Sequence, residues 1–151
     1  MLVARLHGVH DIRLSDEPPP VPSDGRSLVR VTAVGLCGSD LHWYGEGGIG
    51  DAQLSRPLVI GHEFAGVVES GPLIGQRVAA DPAVPCGRCK VCLNGDRNLC
   101  PMVVSAGHGS QDGALREYID WPTDLLHPVP ASLDDADAAL LEPLGVAIHS
   151  P

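Results

Sequence analysis

Cys86-Gly87-Arg88-Cys89-Lys90-Val91-Cys92-Leu93-Asn94-Gly95-Asp96-Arg97-Asn98-Leu99-Cys100 carries four of the chain's five cysteines. They are separated by two, two and seven residues. Structural zinc takes four tetrahedral ligands, commonly thiolates, and short Cys-x-x-Cys steps let one tight loop supply neighbouring corners of the tetrahedron. Gly87 and Gly95 provide backbone freedom where the loop must bend. Arg88, Lys90 and Arg97 bring positive charge to offset that of zinc held by four thiolates. A lobe over residues 85–101 is too small for a core of its own and is expected to be stapled by zinc. Disulfides suit an oxidising compartment and are a poor reading for this chain. An iron–sulfur cluster uses the same four thiolates, so ligand count alone leaves it open, although the spacing differs from the ferredoxin runs.

Outward from the lobe, the pattern is one of short strands and turns. Leu2–His7 and Asp11–Ser15 read as two strands around a turn at Gly8-Val9-His10. Ser27–Val34 is rich in β-branched residues and ends at Gly35. Cys37–Tyr44 reads as a helical turn capped by Ser39 or Asp40. Leu58–Glu69 reads as a strand interrupted by Gly61-His62-Glu63, and Arg77–Ala80, Gly113–Trp121 and Leu125–Pro128 as further strands. Ser132–Leu141 is the best helix, with Ser132 as its cap and Asp134 and Asp135 in the first turn. With aromatics at only 3%, aliphatic residues must fill the core. The expected class is mainly β with short helices, in one domain over residues 1–151.

Charge narrows the partners. Ten basic residues against 19 acidic give a net charge of −9, and no basic cluster exists to neutralise phosphates, so nucleic-acid binding is set aside. No apolar run is long enough to span a membrane. Met1-Leu2-Val3-Ala4-Arg5 does not open a signal peptide. The expected compartment is the cytoplasm, where the cysteines stay reduced.

The fifth cysteine lies in Gly35-Leu36-Cys37-Gly38-Ser39-Asp40-Leu41-His42. Gly61-His62-Glu63-Phe64-Ala65-Gly66 follows, and Leu141-Glu142-Pro143-Leu144-Gly145 stands near the end. One thiolate, one imidazole and carboxylates form a plausible zinc site, and a catalytic zinc keeps one position open. Taken one at a time these residues say little. A single cysteine is usually a buried small hydrophobe, His62 could be a core histidine and Glu63 a surface charge.

Together with the four-cysteine lobe, these motifs stand in the order seen in zinc-dependent medium-chain dehydrogenases, the alcohol dehydrogenase superfamily, which the chain resembles from about Leu2 onward. Within it the chain is most similar to the sorbitol, threonine and L-idonate 5-dehydrogenase branch. Glu63 and Glu142, the lack of a second catalytic-site cysteine, and Gly45-Glu46-Gly47-Gly48-Ile49-Gly50 after His42-Trp43-Tyr44 fit that branch. The resemblance implies a GroES-like, partly open β-barrel with a zinc-stapled lobe, and an NAD- or NADP-linked enzyme oxidising a secondary alcohol of a polyol or sugar acid. It implies two zinc ions per chain. Cys86, Cys89, Cys92 and Cys100 would hold the structural ion. Cys37 and His62 would hold the catalytic one, with Glu63 or Glu142 as the third ligand and the other carboxylate beside it. Ser39 would hydrogen-bond the reacting hydroxyl, His42 would pass the proton outward, and Tyr44 would line the substrate pocket. A homo-oligomer is expected of the full-length enzyme.

Two departures qualify that picture. Glu69–Val78 is shorter than the family's usual connection, which predicts a tighter turn with His62 and Glu63 intact. No strand–glycine turn–helix unit for a dinucleotide is present, so the cofactor domain is expected to be missing from these 151 residues and the isolated chain to be inactive. Gly45–Gly50 matches Gly-x-Gly-x-x-Gly only as a pattern, because it follows a turn and meets Pro57 too soon for a crossover helix. His108 lies in a glycine-rich stretch from which it could approach the substrate cleft; His7, His10, His127 and His149 read as surface or strand residues. The competing function is a stand-alone, non-enzymatic zinc-binding GroES-like module.

Overall fold

The computed structural model describes residues 1–150. β1 (Leu2–Gly8) and β2 (Asp11–Asp16) form an antiparallel hairpin, with His10 in the left-handed region at its tip (φ 58°). β3 (Arg26–Gly35) leads into α1 (Gly38–Glu46), and the small hairpin β4 (Gly48–Ile49) and β5 (Ala52–Gln53) follows. β6 (Glu63–Ser70), β7 (Arg77–Ala80), β8 (Ala83–Val84), α2 (Lys90–Leu93) and β9 (Val104–Ser105) come next. β10 (Tyr118–Pro122), β11 (Leu126–Pro128), α3 (Asp135–Ala139) and α4 (Leu141–His149) complete the order.

The central sheet is antiparallel, in the order β10-β3-β6-β7-β11, and does not close into a barrel. Its core combines Val29, Phe64, Val68, Val78, Ile119, Trp121 and Leu126. Of the few aromatics, Trp43, Phe64 and Trp121 are buried. Phe64 meets Trp121 edge-on with ring centroids 5.5 Å apart, and the Trp121 indole N–H donates to the Asp81 carbonyl at 2.9 Å. A second apolar cluster, Leu6, Trp43, Leu58 and Ile60, joins β1 to α1 and to the segment before β6. Among the described residues no helix is long and apolar enough to cross a membrane.

The short connection after β6 is a tight turn. The Gly75 N–H donates to the Val68 carbonyl and the Val68 N–H to Gln76, and β6 and β7 pair in register from Val67–Arg77 to Ala65–Ala79. The irregularities fall instead between β3 and β6, near Leu28/Val29 and Val31/Ala33, away from His62 and Glu63. The Gly45–Gly50 stretch ends α1 with Gly47 in the left-handed region (φ 74°) and turns into β4, so no helix follows its glycines.

Several element limits differ from those expected. The strand expected from Leu58 begins at Glu63, while Leu58 makes only a bridge to Leu6. The strand expected from Gly113 begins at Tyr118, because residues 113–115 donate their N–H groups to the 59–61 segment. The helix expected over Ser132–Leu141 starts later and breaks at Leu140. Asp134 caps it, its carboxylate accepting from the Asp137 N–H at 2.7 Å. Pro143 has no N–H to offer four residues back and its ring would crowd that carbonyl, so the chain restarts as α4 with proline in its first turn.

Candidate metal centres

In the lobe, Cys89 caps α2 and its sulfur accepts from the Cys92 N–H at 3.5 Å, while the Cys86 N–H points at the Cys100 sulfur at 3.4 Å. Sulfur separations are 3.5 Å for Cys89–Cys92 and 4.0 Å for both Cys86–Cys92 and Cys89–Cys100. All five cysteines of the chain are free thiols. A zinc–sulfur bond of about 2.3 Å gives a tetrahedron edge of about 3.8 Å, so the four sulfurs already outline a zinc-sized tetrahedron. N–H groups of Arg88 and Cys89 and the neighbouring sulfurs lower the Cys86 thiol to about 6 against its desolvation. Burial pushes Cys92 up to about 12. Arg97 does not face the sulfurs; it pairs with Asp124 at 2.7 Å and ties the lobe to the turn before β11.

The second centre follows from the β3–β6 register. Gly35 at the end of β3 stands opposite Glu63 at the start of β6. Cys37, two residues beyond, therefore meets His62, one residue before. Ligand atoms of Cys37, His62 and Glu63 lie within 4.8 Å of one another. Glu63 is 7% exposed, and Cys37 and His62 are half-buried. A Cβ at 35 would meet the Glu63 side chain, so a larger residue there would displace the Glu63 carboxylate. Thiolate, imidazole and carboxylate make a three-ligand set that fits zinc with a fourth position open.

Asp40 binds the two ligand-bearing segments together, a role its sequence position as a possible cap did not reveal. It is 1% exposed. One carboxylate oxygen accepts the Cys37 N–H at 2.9 Å and the other the Gly61 N–H at 2.9 Å. The first also lies 3.6 Å from His62 Nδ1. The i,i+3 spacing from Cys37 to Asp40 is a capping-box signal, and it was the only one available in sequence. Gly61, with φ 89°, supplies the turn that aims its N–H at Asp40.

The remaining candidates divide. Glu142, in the first turn of α4, does not belong to the group formed by Cys37, His62 and Glu63. It lines an open cavity of about 730 Å³ with Asp81, Asn98, His127 and Val146. Burial raises its carboxyl above the ordinary range, and Glu63 and Asp81 add to the rise, while His62 opposes it. Ser39 is half-buried in the first turn of α1. His42 is exposed, with Nδ1 2.8 Å from a Glu46 carboxylate oxygen. Tyr44 packs edge-on against His10 at 4.9 Å. Trp43, one turn on from Ser39 on the same helix face, is instead the buried aromatic, with His108 edge-on at 5.4 Å.

This architecture defines a protein class, and the comparisons agree. Residues 23–131 match the alcohol dehydrogenase GroES-like domain, and the chain belongs to that family. It is 42% identical over 95% of its length to a protein of Arthroderma otae described as probable D-xylulose reductase A, covering 42% of that protein. It is 39% identical over 99% of its length to sorbitol dehydrogenase of Bacillus subtilis, covering 44% of that protein. It superposes on L-idonate 5-dehydrogenase of Escherichia coli K-12 with a TM-score of 0.88 and 34% identity, over 98% of this chain and 45% of that one. The chain thus spans less than half the length of these relatives.

Proposed function

We propose that residues 1–151 are the catalytic, metal-binding domain of a zinc-dependent, NAD- or NADP-linked dehydrogenase that oxidises a secondary alcohol of a polyol or sugar acid. The observation that carries this reading is the grouping of Cys37, His62 and Glu63 on half-buried, pre-aligned segments, a three-ligand arrangement a purely structural module has no use for. Zinc at that position would serve as the Lewis acid that acidifies a substrate hydroxyl. Cys86, Cys89, Cys92 and Cys100 would hold a second zinc that shapes the lobe.

The chain's own groups handle the proton. Ser39 and His42 are three residues apart on α1 and so neighbours on its surface. Ser39 accepts the hydroxyl proton and relays it to His42, which lies 57% exposed beside Glu46 and releases it to water. NAD or NADP would supply the hydride acceptor. Five cysteines with no disulfide among them support a cytoplasmic location.

Metal analysis of the purified chain tests the reading. Two zinc ions per chain are expected, falling to one in Cys37→Ala with the fold retained. A single zinc in the wild-type chain, unaffected by that substitution, would leave a structural module only.

A further inference from the structure

The loop that follows β9 reaches back to the candidate catalytic centre. Gly107 has φ 68°, and a Cβ there would come within 2.9 Å of the Gly61 nitrogen. The N–H groups of Gly113, Ala114 and Leu115 donate to Val59, Gly61 and Ile60 at 2.6, 2.8 and 3.1 Å. Asp112 accepts the Val59 N–H at 3.2 Å. The loop is thereby clamped to the segment that runs directly into His62.

His108 stands at its tip, exposed, in a turn closed by the Gln111 N–H donating to the His108 carbonyl at 3.1 Å. The His108 ring meets Trp43 at 5.4 Å and 72°. Trp43 lies on α1, the helix that Cys37 caps, one turn from Ser39. His108 therefore links the two segments that carry the metal-binding residues. Trp43 is itself buried against Leu6, Leu58 and Ile60, so the exposed His108 ring is the polar group presented on that side.

The geometry points to His108 as a substrate-recognition residue: its imidazole hydrogen-bonds a second hydroxyl of a neutral polyol whose reacting hydroxyl lies at the Cys37–His62–Glu63 centre. This rests on the dehydrogenase reading above. A neutral imidazole offers one donor and one acceptor nitrogen, and a hydroxyl is likewise both donor and acceptor.

The test uses the 151-residue chain with cobalt(II) replacing zinc, so that the visible spectrum of the Cys37 centre reports occupancy. Xylitol and 2-butanol are titrated separately, with imidazole as a control ligand for the metal. The wild-type chain is expected to bind xylitol more tightly than 2-butanol. His108→Ala is expected to weaken xylitol by about tenfold, the size of one hydrogen bond, and to leave 2-butanol and imidazole within about twofold. His108→Asn, which keeps a donor and an acceptor, recovers part of the preference. Equal xylitol affinity in wild type and His108→Ala overturns the inference while leaving the dehydrogenase reading intact, as does a wild-type chain with no preference for xylitol. A chain that takes up no cobalt at Cys37 removes the metal-centre reading itself, and the inference with it.

Discussion

The Asp40 carboxylate lies 3.6 Å from Nδ1 of His62, with its two oxygens taken by the N–H groups of Cys37 and Gly61. One buried anion thus ties together the start of α1, the turn before β6 and the His62 ring. Partners of this kind set the orientation and basicity of a ligating imidazole. Asp40→Asn keeps the size and loses the charge. Zinc affinity at the Cys37 centre is expected to fall about 10- to 100-fold, with the lobe zinc retained. Chelator competition separates the two sites; equal loss from both would show that Asp40 serves the fold alone.

How much of this was legible beforehand depends on the range of the interaction. The lobe was readable because its ligands lie within one loop, and β3 because its β-branched run announces a strand. Cys37, His62 and Glu63 were readable as motif residues, yet their meeting depends on Gly35 pairing with Glu63, which no local pattern specifies. Asp40 was visible only as a helix-start residue, since its bond to Gly61 spans 21 positions. Tyr44 was the aromatic expected at the substrate; α1 turns it toward His10 and buries Trp43 instead. The start of the C-terminal helix was displaced because Asp134, rather than Ser132, reaches a free N–H.

The lobe has almost no apolar interior: Leu93 and Leu99 are 73% and 67% exposed, and Cys92 and Cys100 are its buried apolar residues. Zinc bound by comparable sites supplies about 10 kcal/mol or more of folding free energy, far beyond what such contacts offer. Removal of zinc by chelation is expected to open residues 86–100 to trypsin at Arg88, Lys90 and Arg97 while the five-stranded sheet survives. Unchanged resistance after complete zinc loss would show that the lobe holds itself.

Arg5 joins β1 to two carboxylates, Glu17 at 2.8 Å and Asp112 at 2.9 Å. The Arg5 hydrogen bond holds Glu17 below its ordinary range. Burial alone would raise Asp112, but Arg5, the Val59 N–H and Arg56 outweigh it, and that carboxyl is also lowered. Depressed carboxylates stabilise the fold above the unfolded carboxylate pKa, about 4, and that stabilisation fades as pH falls through their lower folded values. Arg5→Met is expected to cost about 2 kcal/mol at pH 7 and progressively less below pH ~4. Urea midpoints at pH 7, 5 and 3 check this; a cost that does not shrink with acid would place the Arg5 contribution in packing.

The last prediction concerns which glutamate completes the centre. Glu63 is fixed opposite Gly35, and its carboxylate belongs to the cluster with Cys37 and His62. Glu142 sits apart on α4, with a carboxyl that burial and the negative charges of Glu63 and Asp81 keep raised. Neutralising each in turn gives opposite outcomes. Glu63→Gln is expected to reduce the zinc content from two ions to one, because the amide is a much weaker ligand than the carboxylate it replaces. Glu142→Gln is expected to retain both ions, since it removes a charge near His62 without removing a clustered donor. Retention by Glu63→Gln and loss by Glu142→Gln would mean that α4 swings inward when metal binds and that the carboxylates exchange roles. The geometry argues for Glu63, because the β3–β6 pairing holds it in place before any metal arrives.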